Sequence, residues 1–302
     1  MTSISGISDA MSRPGTSAVA PLGRHQGLLR QALRRRRAQV GLIAVAVPVA
    51  IAIIGPLFAP HSATAFVGAP FSGASGSAWF GTDTLGRDVF SRFLDGGRNI
   101  LAIAFAGTVL GVAAGTVLGL VTGYSNRIVD DVAMRVVDLL MAFPGIVLAL
   151  LLITISGPQE WVLIGVVALS FMPHTSRVVR SSTMQVRDSD FVRYAQGTRT
   201  PTRRILAGEI LPNIAAPLTV EFGLRLTQSI GTIAGLDYLG LGVSPPAADW
   251  GLMVQENQTG LISAPWSVML PIIAIAVLAI GVNLVTDALA QAAAGIDRTV
   301  DS

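Results

Sequence analysis

Residues 186–213 have the sequence VRDSDFVRYAQGTRTPTRRILAGEILPN, and this stretch decides how the rest of the chain is interpreted. It is polar and rich in arginine, it lies between long apolar stretches, and it ends in Ile210-Leu211-Pro212-Asn213. Arginine collects on one side of a membrane, so the segment faces water on that side. We therefore expect this arginine-rich segment to be an internal surface for a soluble partner.

Composition indicates a membrane protein before any motif is considered. Of the 302 residues, 51% are hydrophobic and 13% are charged, and the mean hydropathy is +0.62, values that a soluble domain of this size rarely shows. Several apolar runs reach about 20 residues, the length of helix that crosses a hydrocarbon core of roughly 30 Å. The predicted fold is an all-α polytopic membrane protein with six transmembrane helices, at residues 38–59, 98–124, 132–156, 160–182, 212–236 and 266–290.

The distribution of arginine predicts the orientation of these spans. All 21 basic residues are arginine, with seven in residues 1–37 and seven between Arg177 and Arg204. The loops at 157–160 and 237–265 contain no arginine. Both termini are therefore expected in the cytoplasm. Nucleic acid is not an expected partner, because the basic residues flank apolar spans instead of forming one face of a soluble domain.

The chain divides into four predicted parts. Residues 1–37 form a basic, disordered cytoplasmic tail. Residues 38–59 are the first transmembrane helix, retained as an anchor because the apolar run is longer than that of a signal peptide. Residues 60–97 are extracytoplasmic and structured, since Asp and Arg alternate towards their end. Residues 98–295 form a five-helix core with a cytoplasmic loop at about 183–211.

Missing residue types exclude several kinds of chemistry. The chain has no lysine and no cysteine, so it lacks the lysine of a phosphate-binding loop and has no thiol or disulfide chemistry. The three histidines, His25, His61 and His174, are too scattered to suggest a metal site, and we interpret each as an isolated polar residue. No catalytic residue, metal ion or cofactor is expected in this chain.

Glycine recurs at every fourth position in the second span. Gly107 is followed by four further glycines at that spacing, up to Gly123. A smooth helix face of this kind allows another helix to approach closely. Two interpretations stay open: packing against another helix of the same chain, or contact with a second transmembrane subunit or the pathway wall.

A set of short motifs is spread in order along the chain. The motifs are GTDTLGRDVFSR at 81–92, GY at 123–124, MRVVD at 134–138, AFPG at 142–145, YLGLGV at 238–243, PP at 245–246, DWG at 249–251 and APW at 264–266. The ordered set resembles the C-type permease subunits of dipeptide, oligopeptide and nickel ABC importers. The resemblance covers residues 35–295, with each motif in order and at the spacing of the family.

The resemblance implies one half of an importer in the cell membrane, with an importer-type ABC permease fold. Its partners would be a second homologous permease subunit, two cytoplasmic ATPase subunits that bind ATP and magnesium, and an extracytoplasmic substrate-binding protein. The cargo would be short peptides, moved inward by alternating access, with nickel chelates or glutathione as the alternatives within the family. An ion-coupled secondary carrier is a rival, although we find no convincing inverted repeat. A membrane scaffold without transport is another rival.

The family also implies a role for the arginine-rich segment, as the loop that couples the permease to the ATPase. The family pattern is Glu-Ala-Ala, three residues, Gly, and later Ile-Leu-Pro-Asn. Here Arg193, Tyr194 and Ala195 align with Glu-Ala-Ala, and Arg199 replaces the glycine. A small side chain such as that of Ala195 is expected to enter a cleft of the ATPase. The arginines favour an acidic cleft or, alternatively, hold the loop at anionic lipid headgroups. The coupling residues that this implies are Arg193, Tyr194, Ala195, Arg199, Ile210, Leu211, Pro212 and Asn213.

Two charged residues lie near the middle of the fifth span. Glu221 and Arg225 are four residues apart and therefore share one helix face. An isolated charge at that depth costs roughly 2.5–3.5 kcal/mol on insertion scales. The two residues are expected to neutralise each other against a neighbouring helix or to line the aqueous pathway.

Overall fold

The computed structural model describes residues 36–293 of the chain. The predicted tail lies outside this range, except for Arg36 and Arg37, which begin the first helix. Within residues 36–293 the regular structure is helical, apart from two isolated β-bridges in the segment 60–97. The predicted all-α class is confirmed.

Long helices alternate with short ones along the chain. A 3-10 turn, Gly55–Phe58, extends the first helix, and one stretch of π-helix, Ile205–Ile210, forms the middle of another. In chain order the helices are α1 Arg36–Ile54, α2 Val89–Asp95, α3 Gly97–Tyr124, α4 Arg127–Ala142, α5 Gly145–Ser156, α6 Glu160–Arg187, α7 Asp190–Gly197, α8 Thr202–Asn213, α9 Ala215–Tyr238, α10 Trp250–Asn257 and α11 Trp266–Ala293.

Carboxylate and amide side chains cap three of these helices. The carboxylate of Asp88 accepts a hydrogen bond from the backbone N–H of Ser91 at 3.0 Å, and Asn126 caps α4 in the same way. Asp249 caps α10 through the N–H of Gly251 at 2.8 Å. Each cap satisfies an N–H group that the first helical turn leaves free. Asp249 is fully buried, and burial raises the pKa of its carboxyl group.

Within residues 36–293, four helices are long and apolar enough to cross a membrane, and two bent pairs reach six spans if each pair is one span. The four cover Arg36–Phe58, Val89–Tyr124, Glu160–Arg187 and Trp266–Ala292. Four of the six predicted spans therefore correspond to unbroken helices.

The span predicted at 132–156 is bent in the structure. It consists of α4 and α5, which meet at an angle of 84°. Phe143 has an extended conformation, with ψ at 129°, and Pro144 follows it. Proline disfavours the helical conformation in the residue before it, so the helix ends at Ala142. The span predicted at 212–236 likewise begins with a bend of 72° between α8 and α9.

The glycine stripe on α3 packs against α6. A Cβ atom added at Gly115 would lie 2.7 Å from the carbonyl oxygen of Met172, and one at Gly119 would lie 2.6 Å from that of Ser176. The other three glycines of the stripe approach α6 as closely. Of the two interpretations, the stripe therefore has its contact within the same chain, which places α3 and α6 side by side as the centre of the bundle.

The segment 60–97 joins α10 through a buried network of charges. Arg87 contacts Asp83 at 2.6 Å and Glu256 at 2.9 Å, while Arg92 contacts the same Glu256 at 2.8 Å. Trp250 is fully buried and donates its indole N–H to the carbonyl oxygen of Phe93 at 2.9 Å. The expectation that the alternating charges belong to a structured segment is confirmed. We call this end of the bundle, predicted to be extracytoplasmic, the outer end.

Candidate functional site

The arginine-rich segment folds around a small apolar cluster of its own. Val192 and Ala195 lie on one face of α7, while Ile205 and Ile210 come from α8. Three further members come from α3, α6 and the start of α9: Leu120, Val179 and Ile214. The segment is thus a compact unit attached to the ends of three long helices.

Ala195 is buried inside the segment, whereas the prediction places its methyl group in a cleft of the ATPase. Its side chain is only 8% exposed and packs inside the chain's own cluster. The reason is helical spacing, because Ala195 follows the fully buried Val192 by three residues and shares its face. The neighbouring Arg193 and Tyr194 point outward instead, and Tyr194 is 75% exposed. These two side chains belong to the exposed face of α7, together with Asp190 and Gln196.

Arg199 ends α7 in a backbone conformation that favours glycine. Its φ is +58°. The N–H of Arg199 bonds to the carbonyl of Gln196 at 3.0 Å, and the N–H of Thr200 bonds to that of Ala195 at 3.1 Å. This pair of bonds is a Schellman motif, in which the left-handed position is usually glycine. The glycine that the family pattern has at this position would adopt the same conformation without strain.

The string Ile210-Leu211-Pro212-Asn213 forms the bend between α8 and α9. Ile210 is fully buried in the cluster, Leu211 is half-buried, and Pro212 is exposed. The side-chain amide of Asn213 donates to the carbonyl of Glu209 at 2.6 Å. Ile210 and Asn213 therefore stabilise the bend through contacts within the chain. Pro212 is the exposed residue of the string.

The exposed face of the segment is cationic. Arg193, Arg199, Arg203 and Arg204 are exposed, and none of them forms an ion pair with any residue of 36–293. Arg187 differs, because its guanidinium group lies over the ring of Tyr124 and donates to the carbonyl of Ser125 at 3.2 Å. These four positive charges outnumber the exposed carboxylates of the segment, those of Asp188 and Asp190, and therefore favour an acidic partner surface.

A second candidate site, which we call the midplane cluster, lies where α6 and α9 pack together. Glu221 is 4% exposed and accepts from Arg225 Nε at 2.7 Å and from the buried hydroxyl of Thr175 at 3.2 Å. The guanidinium group of Arg225 lies over the ring of Phe171 and donates to Gln228. The predicted pairing of Glu221 with Arg225 is confirmed, and the pair is held from both helices.

Two ion pairs that the sequence reasoning missed hold α4 to α6. Arg180 donates from two nitrogens to the carboxylate of Asp130, and Arg177 pairs with Asp138. Val137 is the one fully buried side chain of α4. The alternation of acidic and apolar residues along 127–142 is the signal that could have indicated this amphipathic, loosely held helix.

Residues 36–293 contain no group of three or more His, Asp or Glu side chains that could share a metal ion. The two candidate sites are therefore a cationic unit at one end of the bundle and a polar cluster between two long helices.

Comparison with known proteins identifies the class. Residues 115–294 match the family described as binding-protein-dependent transport system inner membrane component, and the chain belongs to this family. It is 34% identical over 272 residues to the dipeptide transport system permease protein of Alkalihalophilus pseudofirmus, with 87% of each chain covered. It is 35% identical over 261 residues to the glutathione transport system permease protein of Shigella flexneri, with 86% of each chain covered.

These matches confirm the resemblance to the permease subunits of ABC importers of the peptide and nickel class. The protein is accordingly a membrane-embedded transport subunit.

Proposed function

We propose that this chain is one of two membrane subunits of an ATP-driven importer that carries short peptides inward by alternating access. Relatives of high coverage are permeases for dipeptides and for glutathione, which is itself a short peptide. Glutathione is therefore the second candidate substrate. Both candidates share an α-carboxylate, amide groups and an amino group, so the chemistry required of the pathway is similar.

The observation that carries this proposal is the direct connection between the two candidate sites. Ile214 belongs to the apolar cluster of the arginine-rich segment, and the next residue begins α9. Leu218, one turn further on, packs against the same cluster. Glu221 follows Ala215, the first residue of α9, by six residues, a rise of about 9 Å along the helix. A displacement of the segment is therefore transmitted along α9 to the midplane cluster.

The partners follow from what this chain has and lacks. It has no lysine for a phosphate-binding loop, so two cytoplasmic ATPase subunits bind ATP and magnesium and provide the force. They contact the exposed face of the arginine-rich segment, where Tyr194 and the unpaired arginines are available. An extracytoplasmic binding protein delivers the peptide at the outer end. A second homologous permease completes the pathway.

The test is transport by the assembled complex in proteoliposomes, with ATP enclosed on the side of the arginine-rich segment. We expect uptake of a labelled dipeptide or tripeptide that requires ATP and the binding protein, and that persists when ion gradients are collapsed. The matched control is the same complex with an ATPase subunit inactivated in its phosphate-binding lysine. Uptake that follows an imposed proton or sodium gradient without ATP would contradict the proposal and favour a secondary carrier.

A further inference from the structure

His174 was interpreted from the sequence as an isolated polar residue, but in the structure it lies beside several charged groups. It lies on α6, one turn after Phe171, next to the Thr175 that bonds Glu221. Its side chain is exposed on the bundle surface, and the charges that act on it are those of Arg225, Glu221 and Arg177. His174 therefore belongs to the rim of the midplane cluster.

The hydrogen bond made by His174 determines what its free nitrogen can do. Nδ1 lies 3.2 Å from the carbonyl oxygen of Ser170. A carbonyl oxygen only accepts, so Nδ1 carries the proton. In the neutral ring Nε2 is then an acceptor, and it has no hydrogen-bond partner among residues 36–293.

Arg225 offers the complementary group. Its Nε is held by Glu221, its Nη1 by Gln228, and its planar face by the ring of Phe171. Nη2 has no hydrogen-bond partner within the described part of the chain, and 13% of the side chain remains exposed. The guanidinium group is thus held by three neighbours, while its Nη2 group keeps its hydrogen-bond donors available.

The depth of these groups argues against contact with lipid. His174 lies at the middle of α6, which runs from Glu160 to Arg187, and Arg225 lies near the middle of α9. A charged side chain in hydrocarbon at this depth costs roughly 2.5–3.5 kcal/mol on insertion scales. The exposed edge of Arg225 consequently faces a polar space or another protein surface, and His174 lies beside it on α6.

The two groups lie around the same aromatic ring. The guanidinium carbon of Arg225 is 5.8 Å from the centroid of the Phe171 ring, and His174 follows Phe171 by three residues, a spacing that places their Cβ atoms about 5–6 Å apart. The charge of Arg225 also acts on His174, so the two groups are neighbours where α6 meets α9.

We propose that Arg225 and His174 form a subsite for the carboxyl end of the transported peptide. Nη2 of Arg225 donates to the α-carboxylate, and Nε2 of neutral His174 accepts from the last backbone N–H. Glu221 balances the charge of Arg225, so the carboxylate meets a donor in a site of no net charge. Binding is then weak enough for release, as a transport site requires. This inference rests on the proposed function.

The experiment measures ATP-driven uptake by the whole complex in proteoliposomes, using one peptide with a free carboxylate and the same peptide as its C-terminal amide. The uptake rate of each variant is divided by the rate of the wild-type complex with the same substrate. The preference of the binding protein for one substrate over another then cancels. Replacing the buried pair together, Glu221→Gln with Arg225→Gln, leaves no unpaired buried charge. We expect uptake of the free acid to fall roughly tenfold or more, since hydrogen bonds to charged groups are the stronger ones. Uptake of the amide should stay near the wild-type rate.

His174 is tested with a third substrate, a peptide whose last amide nitrogen carries a methyl group in place of hydrogen. His174→Leu should slow uptake of the ordinary peptide and leave uptake of the methylated one unchanged. His174→Asn, which restores an acceptor oxygen, should recover much of the loss. Thr219→Val is the matched control on α9, because the Thr219 hydroxyl is exposed and bonds only its own helix, at the carbonyl of Ala215.

Two outcomes contradict the inference and are distinguishable. If the variants slow the free acid, the amide and the methylated peptide in equal proportion, the residues are structural and the subsite is refuted while peptide import stands. If the wild-type complex takes up none of the three peptides in the presence of ATP, the proposed function itself fails.

Discussion

At the scale of single residues, the informative position is Arg199. A non-glycine residue at φ +58° carries a steric cost of roughly 1–2 kcal/mol. We expect Arg199→Gly to stabilise the arginine-rich segment by about 1 kcal/mol, which thermal unfolding of the purified protein would detect. Arg199→Gln is the control, because it removes the same charge but keeps a side chain at the strained positive φ angle. Equal melting temperatures for the two variants would contradict the assignment of strain.

Substitutions at Ala195 and Tyr194 test two properties separately: the folding of the arginine-rich segment and its contact with a partner. Ala195→Arg places a long charged side chain in a closed apolar cluster, so we expect it to destabilise the isolated subunit by roughly 1–3 kcal/mol or more. Tyr194→Arg changes an exposed side chain and should leave the melting temperature unchanged while weakening stimulation of the ATPase in the complex. A stable Ala195→Arg subunit with impaired coupling would instead restore the cleft prediction.

At the scale of helices, the contact of α3 with α6 depends on the absence of side chains at five positions. Gly115→Ala would bring a methyl group to 2.7 Å from both the Met172 carbonyl oxygen and Thr175 Cβ. We expect this overpacking to cost roughly 1–3 kcal/mol, measured as a lower melting temperature in detergent. Gly165→Ala on α6 is the matched control, because nothing lies within 4 Å of its added Cβ. If both substitutions have the same effect, the stripe is not a packing surface.

A second prediction at this scale concerns the ion pair that holds α4 to α6. Asp130 forms a two-pronged ion pair with Arg180 and is only 14% exposed. We expect Asp130→Asn to accelerate hydrogen exchange across Arg127–Ala142 severalfold, since little else holds this helix. Asp131→Asn is the control, because its partner Arg127 is 3.7 Å away and both side chains are exposed. Such surface pairs contribute about 0–1 kcal/mol. Equal exchange rates in both variants would rule out the tether.

At the scale of the whole molecule, the orientation in the membrane stays a prediction of the arginine distribution. The chain has no cysteine, so single substitutions report without background. Ser156→Cys and Ser263→Cys, both exposed at the ends predicted to be extracytoplasmic, should react with an impermeant thiol reagent in intact cells. Thr202→Cys, exposed on the arginine-rich segment, should react only after the membrane is opened. Labelling of residue 202 in intact cells would reverse the topology.

Prediction from sequence succeeded where a local pattern carries the information. Apolar runs indicate membrane helices because length and hydropathy suffice to cross a bilayer. The Glu221–Arg225 pair follows from helical spacing alone. The break at Phe143-Pro144 was missed although Pro144 was visible, because proline also occurs inside unbroken helices of this chain, at Pro48 and Pro173. Whether proline ends a helix depends on neighbours that satisfy the freed carbonyls.

The amino-acid sequence by itself determined the class of protein, the membrane helices and the position of the arginine-rich segment. Each of these depends on composition and short-range spacing. Only the tertiary structure decided which face of α7 points outward, that α6 receives the glycine stripe, and that His174 joins Arg225 at the middle of the bundle. Those facts depend on contacts between residues far apart in the chain. A periodic pattern shows that a face is apolar or smooth, but the partner that covers it is chosen by the packing of the whole bundle.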